Sequence, residues 1–372
     1  MKKTVLILLT LVLSSCAFFL KDDQKKIENK GVVTAELHAK KEGELSSTTS
    51  VAPIKKLSDE LVEQSPALNQ YCNKINKTFL HWGWGVSRCK NYNWKHVRNS
   101  VNGDPLIWAV FGNEEKEKDP TVDRTMIFCA VHGDEITPVK FCFDIMTHIE
   151  RIYAGLEPGY EELQNKLIIV APIVSPDSFF TTKPSRTNAR GVDLNRNFPT
   201  QDWDKEALHL WKHRYAADKR RFPGHKAMSE PETRFQVNLI RRYKPNKILS
   251  VHAPLTFLDY DGPETLGVKI AHKATQLLLN MSKAAQGYKM KNYPFFPGSL
   301  GNFAGNEMGI PTYTLELPSS DNRKHKVYWE RFKTAVHFAM LHDLRDEHSV
   351  NIALKKSQEI EDNNLDEDEQ GM

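Results

Sequence analysis

Hydrophobic positions along this chain fall into short continuous runs separated by longer segments with a helical period. The runs are DPLIWAVFG (104–112), RTMIFCAVH (124–132), NKLIIVAP (165–172), NKILSVHA (246–253) and IPTYTLELP (310–318), each bounded by Gly, Pro, Asn or Asp. Their length and their bounding turn residues predict β-strands. Asn102-Gly103, just before the first run, is a hairpin-type turn. Segments 136–153, 206–217, 231–243, 266–285 and 327–344 repeat apolar residues at helical spacing, and Ser229 followed by Glu232 predicts a capping box at the start of the third. Strands that are apolar on both faces and alternate with helices predict an α/β fold, a single domain with a mixed, largely parallel sheet flanked by helices.

The two ends differ from this pattern. MKKTVLILLTLVLSSCAFFL has two lysines, an apolar run and small residues before Cys16, which is the layout of an export leader rather than of a spanning helix. The stretch before Cys16 resembles the lipobox of bacterial lipoproteins. That resemblance implies that 1–16 is a lipoprotein signal ending in the lipobox Cys16, which is lipidated and becomes the new N-terminus, giving a membrane anchor there and, with Ala17 next, a periplasmic location on the outer membrane. Residues 17–65 are polar and nearly free of aromatics, the composition of a disordered tether; 346–372 form an acidic tail expected to be equally unstructured. The domain is therefore placed at 66–345. The chain has 372 residues, 40% of them hydrophobic and 26% charged, and a formal charge of +4. With no dense basic stripe, a nucleic-acid partner is not expected. Cys72 and Cys89 are positioned to pair in an oxidising compartment, whereas Cys129 and Cys142, inside apolar runs, read as small buried residues. Trp82, Trp84 and Trp94 read as core.

In a sheet of this kind ligands gather beyond the carboxyl ends of the strands. His132 ends one apolar run, His252 another, and Glu316 a third, so the three would share one rim. His132-x-x-Glu135 alone is a weak signal, equally readable as a polar strand-end loop. Two imidazoles and a carboxylate from distant parts of the chain are nonetheless the ligand set of a catalytic zinc with one open position. The block SRTNARGVDLNRNFP (185–199) concentrates Arg and Asn between the runs; it is either a solvated basic loop or a set of donors for a carboxylate and an oxyanion.

HGDE, GVDLNRNF, the His after KILSV, and YTLEL occur in the order and approximate spacing of the zinc metallocarboxypeptidases, and SRTNARGVDLNRNFP, SEPET, VHAPL and PGSLGNFAG resemble the bacterial murein peptide amidase branch. The resemblance covers roughly 99–341. It implies a sheet of about eight strands, one Zn2+ per chain held by His132, Glu135 and His252, and Asp193 as the carboxylate that orients the first His. It implies further that Asn195 and Arg196 bind the substrate's terminal carboxylate, that Arg186, rather than Arg190, polarises the scissile carbonyl, and that Glu316 is the general base. Tyr293 stands near the place of the family's mobile-loop Tyr. SPDS (175–178) departs from the family's Asn-Pro-Asp-Gly, so a turn is expected to differ there. The branch cuts the bond between γ-D-glutamate and meso-diaminopimelate in cell-wall peptides, and peptidoglycan-derived peptides are the partners it implies. A general carboxypeptidase, an amidohydrolase acting on N-acyl amino acids, and a non-catalytic wall-peptide-binding lipoprotein remain alternatives. Leu300 and Gly301, near the pocket for the departing side chain, offer no acid to a basic residue. Tyr260 and Asp261 read as a turn before Gly262 rather than as contacts to the second amine of diaminopimelate.

Overall fold

The computed structural model of the chain describes residues 57, 60–157, 161–263 and 268–345. The leader, Cys16, most of the tether 17–65 and the acidic tail 346–372 lie outside the described residues. Eight strands form one sheet: β1 Lys95–Asn99, β2 Pro105–Phe111, β3 Arg124–Cys129, β4 Leu167–Ala171, β5 Lys247–His252, β6 Phe257–Asp261, β7 Met290–Lys291 and β8 Thr312–Glu316, in the order β1-β2-β4-β3-β5-β8-β6-β7. The central strands β4, β3, β5 and β8 run parallel, while β2 and β6 pair antiparallel at either side of them. The helices are α1 Pro66–His81, α2 Thr137–Tyr153, α3 Pro176–Phe179, α4 Leu208–His213, α5 Pro231–Tyr243, α6 Val268–Ala284 and α7 His325–Leu341.

Period-two alternation divides the sheet between two cores. Ile127, Ile168, Val170, Leu249, Val251, Tyr313 and Leu315 face α1, α2, α6 and α7, including Phe79, Phe143, Met281 and Phe332. Met126, Phe128, Leu167, Ile169 and Ile248 face α5, through Phe235, Leu239 and Tyr243. Burying both faces explains why these strands read as unbroken apolar runs. The Asn102-Gly103 turn joins β1 to β2 as predicted, with Gly103 at φ +96°. Trp84 and Trp94 are buried, and Trp82 packs against the same core.

Several expectations need correction. Helix α1 and strand β6 were not predicted. Ser65 caps α1 by accepting from Leu68 N–H, and Leu68, Tyr71, Cys72, Ile75 and Phe79 form its buried stripe. Tyr260 and Asp261 do not form a turn: β6 continues through Asp261, opposite Thr312 of β8. The capping box of α5 does not form, because the N-cap is Glu230 and the Glu232 carboxylate accepts from Asn188 Nδ2 instead. Cys129 and Cys142 are buried, but they are joined as a disulfide, like Cys72 and Cys89, because β3 delivers Cys129 beside α2. Residues 60–65 are not free tether: Val62 N–H donates to Lys90 O and Gln64 Nε2 to Tyr92 O, so the domain edge precedes the change in composition.

Candidate metal centre and active-site cavity

The turn after β3 carries His132 and Glu135. Ala130, at φ +50°, redirects the chain, and Gly133 passes so close to α3 that a Cβ would lie 2.3 Å from the Ser178 carbonyl carbon. Only glycine fits that crossing. β5 delivers His252 at its last residue, and the β5–β8 register sets it directly beside Glu316. All four side chains are buried.

His132 Nδ1 lies 2.7 Å from Glu135 Oε1, and His252 Nδ1 lies 2.8 Å from Glu135 Oε2. Each ring is held from behind, His132 Nε2 by Asp193 Oδ1 at 3.0 Å and His252 Nε2 by Ser250 Oγ at 2.9 Å. Arg186 Nη1 approaches His132 Nδ1 at 3.3 Å. A guanidinium only donates, so Nδ1 presents a lone pair and the ring proton sits on Nε2, facing Asp193. That is the tautomer a ligand through Nδ1 requires. A ring lone pair aimed at a carboxylate oxygen is repulsive unless a proton or a cation lies between them. His132, Glu135 and His252 each offer one ligand atom, all within 4.8 Å of one another. The donor set, two imidazoles and one carboxylate, fits zinc with an open coordination position.

Asp193 is fully buried and organises three groups at once. Its Oδ1 accepts from His132 Nε2 and from Asn195 N–H, and its Oδ2 accepts from Arg186 Nε at 3.0 Å. The same carboxylate thus orients an imidazole and a guanidinium and caps the short turn that carries Asn195 and Arg196. Burial alone would raise its pKa, but Arg186 and His132 outweigh burial and hold it well below the usual carboxylate range. Burial would also raise Glu135, and the two imidazoles reverse that effect. Glu316 differs: burial, reinforced by the charge of Glu135, pushes its carboxyl above the ordinary value despite His252. A carboxyl whose proton affinity is raised beside a metal cage is suited to accepting a proton and passing it on.

His132, Glu135, Arg186, His252 and Glu316 line one cavity of about 570 Å³, together with Asn195, Arg196 and Tyr293. Asn195 Oδ1 accepts from Leu300 N–H, which leaves its amide Nδ2 without a partner among the described residues. Arg196 stacks its guanidinium 4.6 Å from the Phe296 ring centroid, and its buried Nε has no hydrogen-bond partner among the described residues. Tyr293 is partly exposed at the mouth, with its ring against Phe257. Arg190 is absent from the lining. Asn188 Oδ1 accepts from Arg190 N–H and a turn at Gly191 follows, so the side chain points to Glu230, 3.7 Å away. Sequence reasoning did not single out Ser250, Asp259, Arg220 or Arg221, which also line the cavity. The signal available for Asp259 was the alternation in FLDYD.

A sequence model of the zinc carboxypeptidases matches residues 88–342. Murein peptide amidase A of Escherichia coli K12 is 30% identical over 237 residues, spanning 62% of this chain and 85% of that protein. Its namesake from Vibrio campbellii is 28% identical over 221 residues, 59% of this chain and 77% of that protein. Among solved structures, carboxypeptidase A of Helicoverpa armigera superimposes with a TM-score of 0.54 at 17% identity, covering 76% of this chain and 74% of that one, which shows the shared fold. Sequence match, sheet topology and metal cage agree: the chain belongs to the zinc carboxypeptidase family of hydrolases, which use one zinc ion.

Proposed function

We propose that this protein is a lipid-anchored zinc peptidase of the bacterial envelope that cuts the γ-D-glutamyl–meso-diaminopimelate bond of cell-wall peptides. The similarity to murein peptide amidases supports the substrate. The leader ending at Cys16 and two disulfides support an anchored location on the outer membrane, in an oxidising compartment. The observation that carries the reading is a single cavity in which the His132–Glu135–His252 cage, Glu316, and the unpartnered donors of Asn195 and Arg196 meet.

His132, Glu135 and His252 hold the ion, which when bound supplies Lewis acidity for water activation and carbonyl polarisation. Asn195 and Arg196 seat the free carboxylate of the departing residue, with the planar guanidinium matching it in two places. Glu316 accepts the proton of the attacking water and returns it to the departing amine, as its raised carboxyl permits. Arg186, locked to Asp193 and beside the cage, stabilises negative charge on the carbonyl oxygen. Tyr293 covers the mouth over the bound residue.

The test is a digest of L-Ala-γ-D-Glu-meso-diaminopimelate by the zinc-loaded protein, read by mass spectrometry. Release of free diaminopimelate and L-Ala-D-Glu is expected. No cleavage by a protein carrying one zinc per chain overturns the substrate assignment, and cleavage only of ordinary C-terminal peptides or of N-acyl amino acids replaces it.

A further inference from the structure

The stretch of chain between the Asn195-Arg196 turn and α5 carries charge that the chemistry of the cavity does not use. Residues 207–226, ALHLWKHRYAADKRRFPGHK, hold six cations, Lys212, Arg214, Lys219, Arg220, Arg221 and Lys226, against one acid, Asp218. Averaged over a chain with a formal charge of +4 this concentration disappears, and so no basic stripe was expected. The structure corrects that reading, because it gathers these residues at one place.

The stretch folds back on itself as a small lobe. Trp211 Nε1 donates to Asp218 O at 2.8 Å and Ala217 N–H to Trp211 O, while the Trp211 ring meets Phe222 with centroids 4.8 Å apart. The lobe stands on the cavity rim: Asp193 N–H donates to Phe222 O at 2.8 Å, and Arg220 Nη2 donates to Asp134 Oδ2, beside the ligand Glu135, also at 2.8 Å. Asp218, Arg220 and Arg221 line the cavity itself. Arg221 and Arg214 both approach the Tyr215 ring, at 4.7 and 5.9 Å from its centroid, so the outward and the cavity-lining cations belong to one surface. Two of the six cations are paired, Arg220 with Asp134 and Arg221 with Asp218, the second pair only at 3.6 Å. Among the described residues Lys212, Arg214, Lys219 and Lys226 meet no carboxylate, and all four are exposed. Like charges gathered on a rim raise a positive potential over it and draw anions to the cavity mouth.

We infer that the lobe 207–226 is an exosite for the peptidoglycan strand that carries the peptide being cut, holding carboxylates of neighbouring peptides outside the cavity. Position decides which anion it takes. A membrane or a nucleic-acid duplex laid on the lobe would close the cavity mouth, because Arg220 and Arg221 belong to both. A polymer that presents one peptide to the metal centre and runs on over the rim uses the two surfaces together. Wall peptides have the matching charge: the γ-linkage leaves the α-carboxylate of D-glutamate free, and diaminopimelate carries a second carboxylate, so the strand is a repeating anion. The inference rests on the proposed function for the identity of the polymer. Its consequence is a preference for peptides still attached to the wall over the free tripeptide.

The test uses zinc-loaded full-length protein and two measurements. Co-sedimentation with insoluble peptidoglycan, in a Glu316→Gln background that keeps the peptides intact, reads binding. The ratio of kcat/KM on soluble glycan-linked peptides to kcat/KM on free L-Ala-γ-D-Glu-meso-diaminopimelate reads its use. With the lobe unaltered, binding should fall steeply between about 0.05 and 0.5 M salt, and the ratio should favour the attached peptide. Combining Lys212→Glu, Arg214→Glu and Lys219→Glu should weaken binding and shrink the ratio about 10- to 100-fold, as three exposed charges acting together allow. Binding indifferent to salt, a ratio unchanged in the triple variant, or binding to anionic phospholipid vesicles or an oligonucleotide in place of peptidoglycan overturns the inference. Should the triple variant lose its zinc, Lys212→Glu alone and the salt series are read in the same way. Salt-sensitive binding to peptidoglycan without cleavage of any γ-glutamyl bond sinks the proposed reaction and leaves the exosite; cleavage of the free tripeptide without binding to peptidoglycan does the reverse.

Discussion

Removing the charge of Asp261 should stabilise the fold, and only where that charge exists. Burial, with Asp259 adding to it, pushes the Asp261 carboxyl up from 3.8 to about 7. Above pH 7 the unfolded chain ionises this group freely, while the folded chain must ionise it against burial and a neighbouring acid. Below pH 4 both states hold it protonated and the penalty disappears. Stability from this group is therefore present at low pH and lost as the pH rises through about 7. At 1.36 kcal/mol per pKa unit the rise sets a ceiling of about 4 kcal/mol. Water entering the cavity screens the charge, so an observed effect of about 1–2 kcal/mol is expected. With a urea m-value of about 3 kcal/mol/M, that is a midpoint shift of roughly 0.5 M. The assay is urea unfolding of wild type and Asp261→Asn at pH 8 and pH 4, with chelator throughout and disulfides intact. The variant should be the more stable at pH 8, with most of the advantage gone at pH 4. Comparing one variant at two pH values cancels the cost of burying its amide. An advantage that is absent at pH 8, or equal at both, would refute the reasoning.

Three further substitutions test the centre itself. Glu316→Gln should bind one zinc per chain and lose hydrolysis, as elemental analysis and steady-state kinetics will show; wild-type turnover would remove it as the base. Arg186→Ala removes a donor worth about 2.7–4 kcal/mol of barrier, so kcat should fall by two to three decades with the metal retained. Asp193→Asn cannot accept from His132, Arg186 and Asn195 at once, and zinc affinity measured by competition with a chromophoric chelator should weaken about 10- to 100-fold. Unchanged affinity would deny it the orienting role.

The sequence made the central strands legible because β2, β3, β4, β5 and β8 carry enough apolar residues on their buried faces to stand out as runs. It could not show that β5 and β8 are neighbours, since sixty residues separate them, and only that pairing sets His252 beside Glu316. Helix α1 escaped because its stripe is diluted by Asn, Gln and Lys and follows a polar stretch of similar composition. Local signals failed where a distant partner claimed the same group. Glu232 serves Asn188 instead of a capping box, and Arg190 is turned aside toward Glu230. His132 and Glu135 were legible as a pair because their ligand geometry is built within one turn, whereas Ser250 became visible as a partner of His252 only in three dimensions.

The Asp-Gly pair at 261–262 shows why the polar wall of the cavity was harder to see than the metal cage. A strand that must line a polar cavity cannot show the run of apolar residues by which buried strands are recognised, and its alternation, FLDYD, reads as a turn once Asp-Gly is reached. The same loss of apolar character that hid β6 makes it useful: on the face shared with Thr312, Thr314 and Glu316, each inward position is free to meet substrate instead of core. Such a face contributes little hydrophobic stabilisation, and Asp261 subtracts some at neutral pH. The fold withstands this because the two apolar cores, built by the strands that were easy to read, bury the rest of the sheet.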